Sequence, residues 1–388
     1  MRILHLLTSL DPTTGGPANV LARLAPVQAE RGHDIEIVTA DDPESLRDTA
    51  TRLQDQNIRV TLGGPMSGPF AKGPRTRSAI TESLARGRDL VHLHGLWQDT
   101  THAGAVSARR NGTPYIVRPC GMLDPWSLRQ GRLKKRIYLA VWGRRDLNEA
   151  SALHFTTETE RVLVEPLQLR PPGFIIPNGV DWSEFAHLPE PGRFRASRGY
   201  GDEPLVVFLS RVHPKKGIEL LLDAFASARI EATTRLAIVG PGEANYIGAL
   251  RERAESAGIG SRVDFVGMLS GSARIEALAD ADLFALTSFQ ENFGVVVIEA
   301  LAAGTPTLIS DQVNIYREVE AAEVGRATPC EVDAIRDGLE RLLADRKALQ
   351  TMGERGREWV HRTFQWTSIA NQIDTMYEAV LRTRADGR

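Results

Sequence analysis

Short apolar runs alternate with helix-length stretches almost from one end of the chain to the other, and nothing else in the sequence constrains the fold as strongly. In the first half the runs lie at 3–7, 35–39, 58–62, 90–94, 115–118, 153–155 and 174–176. In the second half they lie at 205–209, 235–239, 263–266, 283–286 and 307–309. Runs this short, separated by amphipathic segments, imply βαβ units and therefore parallel sheets covered by helices on both faces. At 388 residues the chain exceeds one ordinary core and suits two such sheets. The stretch 188–204, with Pro189, Pro191, Gly192, Gly199, Gly201 and Pro204, is the best linker, so domains are expected at 1–187 and 188–365. Residues 63–74, dense in Gly and Pro, read as a loop, and after Glu331 the chain reads as helical nearly to its end.

One segment of the second half carries chemistry. After the run 283–286, residues 289–292 read as a turn and 294–303 as a helix closed by Gly304 and Pro306. Glu291 falls on the turn and Glu299 about two helical turns later. Between them lie the free N–H groups of Asn292, Phe293, Gly294 and Val295, at a helix start suited to a phosphate. A carboxylate on either side can accept hydrogen bonds from sugar hydroxyls, so the pattern describes a pocket for a sugar joined to a phosphate. Alone, two glutamates near a helix start would be ordinary dipole and solubility devices. A second motif, Ser210-Arg211-Val212-His213-Pro214-Lys215-Lys216-Gly217, follows the run 205–209 and places Arg211 and Lys216 at the carboxyl end of a parallel strand, where open sheets bind ligands. Cations fixed there stabilise charge growing on a leaving diphosphate.

Together, Glu291-Asn292-Phe293-Gly294 with Glu299-Ala-Leu-Ala-Ala-Gly-Thr-Pro306, and Arg211 with Lys216 upstream, resemble the donor signature of retaining family 4 glycosyltransferases. The resemblance implies the GT-B architecture, two Rossmann-like α/β domains facing across a cleft, with the last helix, about 366–388, crossing back to the N-terminal domain. It also implies a nucleotide-diphosphate sugar, of UDP or GDP type, as donor, with Arg211 and Lys216 on the diphosphate, Glu291 with the amides of 292–295 on sugar and phosphate, and Glu299 on the ribose. The expected enzyme is a metal-independent, retaining hexosyltransferase of envelope polysaccharide biosynthesis, without cofactor, passing the sugar to a glycan or lipid-linked acceptor.

In the first half, Gly15 and Gly16 follow the first run and precede a helix read over 18–31, with Pro17 at its first position. The spacing is not G-x-G-x-x-G, so a dinucleotide fingerprint is absent; the place matches the family's loop beside the donor diphosphate. Acceptor-side candidates are His94, Trp97, Arg118, Cys120 and Asp124. His92 and His94 are read as pointing to opposite faces of their strand, His94 being nearer its carboxyl end and a catalytic candidate. Many relatives carry a histidine about where Cys120 stands, so that role is not carried over. Residues 127–145 hold Arg129, Arg132, Lys134, Lys135, Arg136, Arg144 and Arg145 among Leu133, Ile137, Tyr138, Leu139, Val141 and Trp142. This reads either as an amphipathic helix with Leu and Ile on the core or as an anionic-membrane surface.

A formal charge of −2 lacks the basic excess that nucleic-acid backbones demand, so nucleic acid is not an expected partner. Cys120 and Cys330 have no metal-ligand spacing. Asp280-Ala-Asp282 reads as a helix end and strand start, with no metal expected. The opening residues run straight into a strand, and no run approaches the ~20 apolar residues of a membrane span. The expected place is therefore the cytoplasm, including peripherally the inner face of the plasma membrane. Two other readings share these features: an epimerase or hydrolase acting on a nucleotide sugar, and a non-catalytic subunit that only binds one.

Overall fold

The computed structural model describes residues 1–65 and 73–386, so most of the Gly- and Pro-rich loop at 63–74 lies outside the described residues. The chain divides into two compact units, Met1–Gly179 with Trp366–Arg388, and Val180–Gln365. The stretch read as a linker, 188–204, belongs wholly to the second unit and contains the helix Arg193–Arg198. Asp280 holds that helix in place, its carboxylate accepting from the N–H groups of Gly192, Phe194 and Arg195 at 2.6, 2.7 and 3.1 Å. Asp282 accepts from the Leu205 N–H and pairs with Arg195 and Arg346. Both carboxylates thus have structural partners.

In the first unit the strands are β1 (Arg2–Leu7), β2 (Asp34–Thr39), β3 (Arg59–Leu62), β4 (Leu90–His94), β5 (Tyr115–Arg118), β6 (Ala152–Phe155) and β7 (Gly173–Ile175), in one parallel sheet of order β3-β2-β1-β4-β5-β6-β7. In the second they are β8 (Leu205–Leu209), β9 (Arg235–Val239), β10 (Val263–Gly267), β11 (Leu283–Leu286), β12 (Thr307–Ser310) and β13 (Gly325–Thr328), in the order β10-β9-β8-β11-β12-β13. Each order reverses beside its first strand, between β1 and β4 and between β8 and β11, and such a switch point is where an open α/β sheet takes its ligand. β13 is absent from the sequence reading. It is an edge strand of partly exposed Gly-Arg-Ala-Thr, which shows no apolar run.

The central strands are buried throughout, and helices cover them because their apolar stripes have no other way to leave water. Val206, Phe208, Leu236, Ile238, Phe284 and Leu286 form the second core with Leu221, Phe225, Val297 and Leu301 from the helices. In the first unit the final helix, Trp366–Asp386, supplies Ile369, Ile373, Met376 and Tyr377, all buried, and it packs on the helix Gly16–Glu30. That first helix begins two residues earlier than read, which puts Pro17 at its second position. Where the chain passes between units, Val180 and Gln365 form a parallel bridge and the Val180 N–H donates to the Phe364 carbonyl at 2.7 Å. At Gly179 a Cβ would run into the Trp366 ring, so glycine is needed there.

Candidate active site

The two loops at the β8/β11 switch point are built against each other. Lys216 ends a single 3-10 turn, Pro214–Lys216, capped by the His213 ring, and Gly217 then takes a left-handed φ of 62° to start the helix Ile218–Ser227. A Cβ on Gly217 would collide with the Thr287 carbonyl oxygen, so glycine is required by space as well as by φ. Across the gap, the Phe289 N–H donates to the Lys215 carbonyl at 2.9 Å and the Thr287 hydroxyl to the Gly217 carbonyl at 2.9 Å. The third side is Gly240-Pro241-Gly242 after β9. The Val212 N–H donates to the Pro241 carbonyl at 2.7 Å, and a Cβ on Gly240, at φ 141°, would meet the Ser210 carbonyl. No candidate from the sequence falls on this glycine loop, although Gly-Pro-Gly directly after a strand is a turn signal.

Lys216 and Glu291 are brought together as a direct ion pair, both mostly buried. Burial alone would raise the Glu291 carboxyl, but Lys216, with Lys215 and Arg211 behind it, outweighs burial and holds it below the usual carboxylate range. The carboxylate is thus ionised at neutral pH. The Glu291 backbone is fixed by bonds to the Gln312 carbonyl and from the Asn314 N–H. Arg211 is exposed on the same loop. Gly294, at φ 74°, caps the helix Val295–Ala302, so the helix begins one residue later than read and its free N–H groups end the turn that carries Glu291 and Asn292. Phe293 is an exception among the sequence candidates. Its ring is buried in the core against Phe364, leaving only its backbone for a ligand.

Glu299 pairs with Arg274, whose other guanidinium nitrogen reaches Glu184 at 2.8 Å. Burial disfavours the Arg274 charge, yet the two carboxylates raise its pKa and keep it cationic. Arg274 lies on the helix Ser272–Ala279, outside both motifs, and no sequence signal marks it.

In the first unit, Gly15 (φ 122°) and Gly16 form the N-terminus of the helix after β1, with open space where side chains would be. His94 and Arg118 end β4 and β5 and are register partners; the Gly95 N–H donates to the Arg118 carbonyl at 2.8 Å. Both side chains are buried, and Arg118 donates to Asn178. The expectation that His92 and His94 point to opposite faces is overturned: residues two apart on a strand share a face, and their rings stack at 4.4 Å. His5 and His154 join them there. Cys120 and Gly121 take left-handed φ values of 55° and 72°. Burial pushes the Cys120 thiol up to about 11, so it stays a thiol rather than a nucleophilic thiolate. The buried Glu160 carboxylate accepts from the N–H groups of Gly121 and Thr156 at 2.6 and 2.7 Å, and burial raises it to about 7. Asp124 is buried at the start of the helix Pro125–Arg129, and Trp97 packs on Tyr138 under the Lys135 ammonium.

Residues 127–145 do not form the single helix their pattern suggests. Gly131, at φ 64°, breaks it after Pro125–Arg129, and a wider π-type turn at Leu139–Gly143 follows Arg132–Tyr138. Tyr138 faces inward, whereas Leu133, Ile137, Val141 and Trp142 face outward, 71, 53, 57 and 39% exposed. Leu133 and Ile137 are therefore not core residues. Among the described residues, His5, His92 and His94 present ring nitrogens within 4.8 Å of one another, a spacing a metal ion can use. All the nitrogens of these three rings except His94 Nδ1 already bond to each other or to Gln28, Tyr377 and His154, and a dication beside the buried Arg118 would meet like charge. Among the described residues no helix is long and apolar enough to cross a membrane.

Comparison with known proteins agrees with this geometry. Residues 15–179 match the model of the glycosyl transferase 4-like domain, and residues 193–359 that of the glycosyl transferases group 1. The chain is 26% identical to a phosphatidyl-myo-inositol mannosyltransferase of Mycobacterium leprae across 94% of this chain and 93% of that one. It is 32% identical to a GDP-mannose-dependent alpha-(1-6)-phosphatidylinositol monomannoside mannosyltransferase of Mycobacterium tuberculosis across 51% of this chain and 54% of that one. Its fold superposes on that of Anabaena Alr3699/HepE, solved with UDP and glucose, at a TM-score of 0.78 and 22% identity, covering 98% of this chain and all of that one. With two Rossmann-like sheets and these matches, the chain belongs to the group 1, family 4-like glycosyltransferases of GT-B architecture, enzymes that use a nucleotide-sugar donor.

Proposed function

We propose that the protein is a retaining, metal-independent hexosyltransferase, moving a sugar, mannose from GDP-mannose being the first candidate, to a hydroxyl of a lipid-linked or glycan acceptor in envelope biosynthesis. The observation that carries it is the buried Lys216–Glu291 pair at the β8/β11 switch point, beside the N-terminus of the helix Val295–Ala302. Lys216 and Arg211 take the diphosphate, and their charge grows in value as the sugar–phosphate bond breaks, which lowers the barrier rather than merely tightening binding. With two side-chain cations and helix amides on the phosphates, the chemistry does not call for a metal. Glu291, kept ionised and oriented by Lys216, accepts from sugar hydroxyls. Glu299, oriented by Arg274, takes the ribose diol. With Cys120 a thiol and no side chain among the described residues placed as a covalent nucleophile, attack on the donor's own face, with the leaving phosphate taking the acceptor proton, is the favoured route to retention.

Mannose and a phosphoinositide acceptor are favoured by the two mycobacterial relatives, which are named for these substrates. The outward face of Leu133, Ile137, Val141 and Trp142, set among Arg129, Arg132, Lys134, Arg136, Arg144 and Arg145, suits an anionic bilayer, at roughly 1 kcal/mol per basic residue. The test is incubation with GDP- and UDP-sugars, with and without phosphatidylinositol vesicles and with EDTA throughout. Vesicle-dependent release of nucleoside diphosphate, with an α-linked product from an α-linked donor, is expected. An inverted product overturns retention, EDTA inactivation overturns metal independence, and release that ignores every acceptor favours the hydrolase or epimerase reading.

A further inference from the structure

The four buried histidines of the first unit are joined into one hydrogen-bonded chain whose direction can be worked out atom by atom. His154 Nε2 lies 2.9 Å from the Ile176 carbonyl oxygen, which can only accept, so Nε2 carries the proton and Nδ1 is an acceptor. His92 Nε2, 3.3 Å from that Nδ1, must then donate, which leaves His92 Nδ1 to accept from the Tyr377 hydroxyl at 2.8 Å. With its proton committed, the Tyr377 oxygen accepts from Gln28 Nε2 at 3.3 Å, and Gln28 Oε1 accepts from His5 Nε2 at 2.9 Å. His5 Nδ1 is left as an acceptor for His94 Nε2 at 3.0 Å. The chain ends at His94 Nδ1, a bare lone pair that is buried and has no partner among the described residues. Reversing the order would set the His154 lone pair against a carbonyl lone pair, and a second proton on His5, His92 or His154 would set donor against donor, whereas His94 Nδ1 faces no donor. Burial, reinforced by the Arg118 charge, keeps all four rings neutral.

The open end of the chain sits at the carboxyl end of β4, on the β1/β4 switch point, and its register partner Arg118 also has a buried atom, Nε, without a partner among the described residues. One residue presents an acceptor and the next strand a donor. A hydroxyl, which donates once and accepts, satisfies both at once.

We infer that His94 Nδ1 and Arg118 Nε form a site for one carbohydrate hydroxyl, and that Tyr377 and Gln28 are positioning residues that set the His94 lone pair toward it through the buried chain. The inference rests on the glycosyltransferase reading for the nature of the hydroxyl, but not for the order of the protons. That order is tested on the full chain labelled with ¹⁵N-histidine. At pH 7.5 all four buried rings should be neutral Nε2–H tautomers with ring protons slow enough in exchange to be observed. An Nδ1–H or doubly protonated His94 overturns the inference. Tyr377→Phe removes one oxygen, three links from His94, and Gln28→Met cuts the chain two links away, on the far side of His5. Each should shift the His94 nitrogens toward averaged tautomers and lower kcat about tenfold, the size of one hydrogen bond of roughly 1.4 kcal/mol, with donor KM little changed. If the His94 lines stay put and kcat follows only the melting temperature, these residues are merely structural and the inference fails.

The source of the hydroxyl is read from the same His94 Nδ1 line. Movement with one of a panel of GDP- and UDP-sugars assigns it to the donor sugar, and movement only on adding phosphatidylinositol micelles assigns it to the acceptor. If the panel stabilises the protein against heat yet neither addition moves the line, the hydroxyl site is wrong while the donor reading stands. If no nucleotide sugar stabilises the protein, the donor reading fails and the proton order is still judged by the first measurement.

Discussion

Lys216 and Glu291 form a pair in which each charge makes the other tolerable. Removing one leaves a buried, uncompensated ion, which typically costs about 3–5 kcal/mol. Lys216→Met should therefore lower both melting temperature and turnover, with kcat down on the order of 10²–10³, as for loss of one preorganised transition-state donor. Glu291→Gln, which keeps the shape, should keep nucleotide-induced thermal stabilisation while losing turnover, as steady-state kinetics on both variants will show. The buried ionisable groups of the first unit set the pH response. Burial lowers His5 to about 4 and His154 to about 3, so between the ordinary histidine value and these the unfolded chain binds protons that the folded chain refuses. Stability is then lost as pH falls through that window. Glu160, raised to about 7, acts the other way, since the folded state holds its proton above the unfolded value and stability is lost as pH rises toward 7. Two histidine shifts outweigh one carboxyl shift, so the unfolding free energy from urea titrations should fall from pH 6.5 to pH 4, by about several kcal/mol. His154→Asn should flatten that slope, and an unchanged slope would remove the histidines as its cause.

At the scale of elements, the glycines around β8 and β9 decide whether the loops at the β8/β11 switch point can exist. Gly240 cannot take a side chain without displacing the Ser210 carbonyl, and its φ of 141° is one that L side chains rarely adopt. Gly240→Ala is expected to destabilise the second unit by a few kcal/mol and to abolish nucleotide-induced stabilisation, as calorimetry with GDP and UDP can check. The segment after Gly131 makes the opposite point, because Leu133, Ile137 and Val141 lie away from the core. Replacing Leu133, Ile137 and Val141 together by Ser should leave the melting temperature within a few degrees and weaken sedimentation with phosphatidylinositol vesicles about tenfold or more, since each apolar side chain contributes roughly 1–2 kcal/mol when buried in lipid. Equal sedimentation of this variant and the parent would sink the membrane reading. The motif strands and the helix after Glu291 were legible because short apolar runs and a Gly-x-Pro closure are local signals. β13 was not, since an edge strand gains its identity from pairing with β12 through Thr307 to Ser310 rather than from its own residues.

Across the molecule, the first unit is completed by residues from the far end of the chain. Ile369, Ile373, Met376, Tyr377 and Val380 are buried there, and at about 1.5–3 kcal/mol each their loss is comparable to the entire stability of an ordinary domain, about 5–15 kcal/mol. A chain ending at Gln365 should therefore lose the first unit's cooperative melting transition while the second unit keeps its own and its response to nucleotide; two intact transitions in differential scanning calorimetry would contradict this. By itself the sequence determined the fold class, the doubling of the sheet and the loops that meet at the second switch point, because hydrophobic periodicity and glycine placement act over a few residues. Only the tertiary structure decided which groups meet. Arg274 beside Glu299, the inward Phe293, the outward Leu133 and Ile137, and the ring-to-ring order linking Ile176, Tyr377 and His94 all depend on contacts between distant segments, and a one-dimensional pattern carries no distance between them.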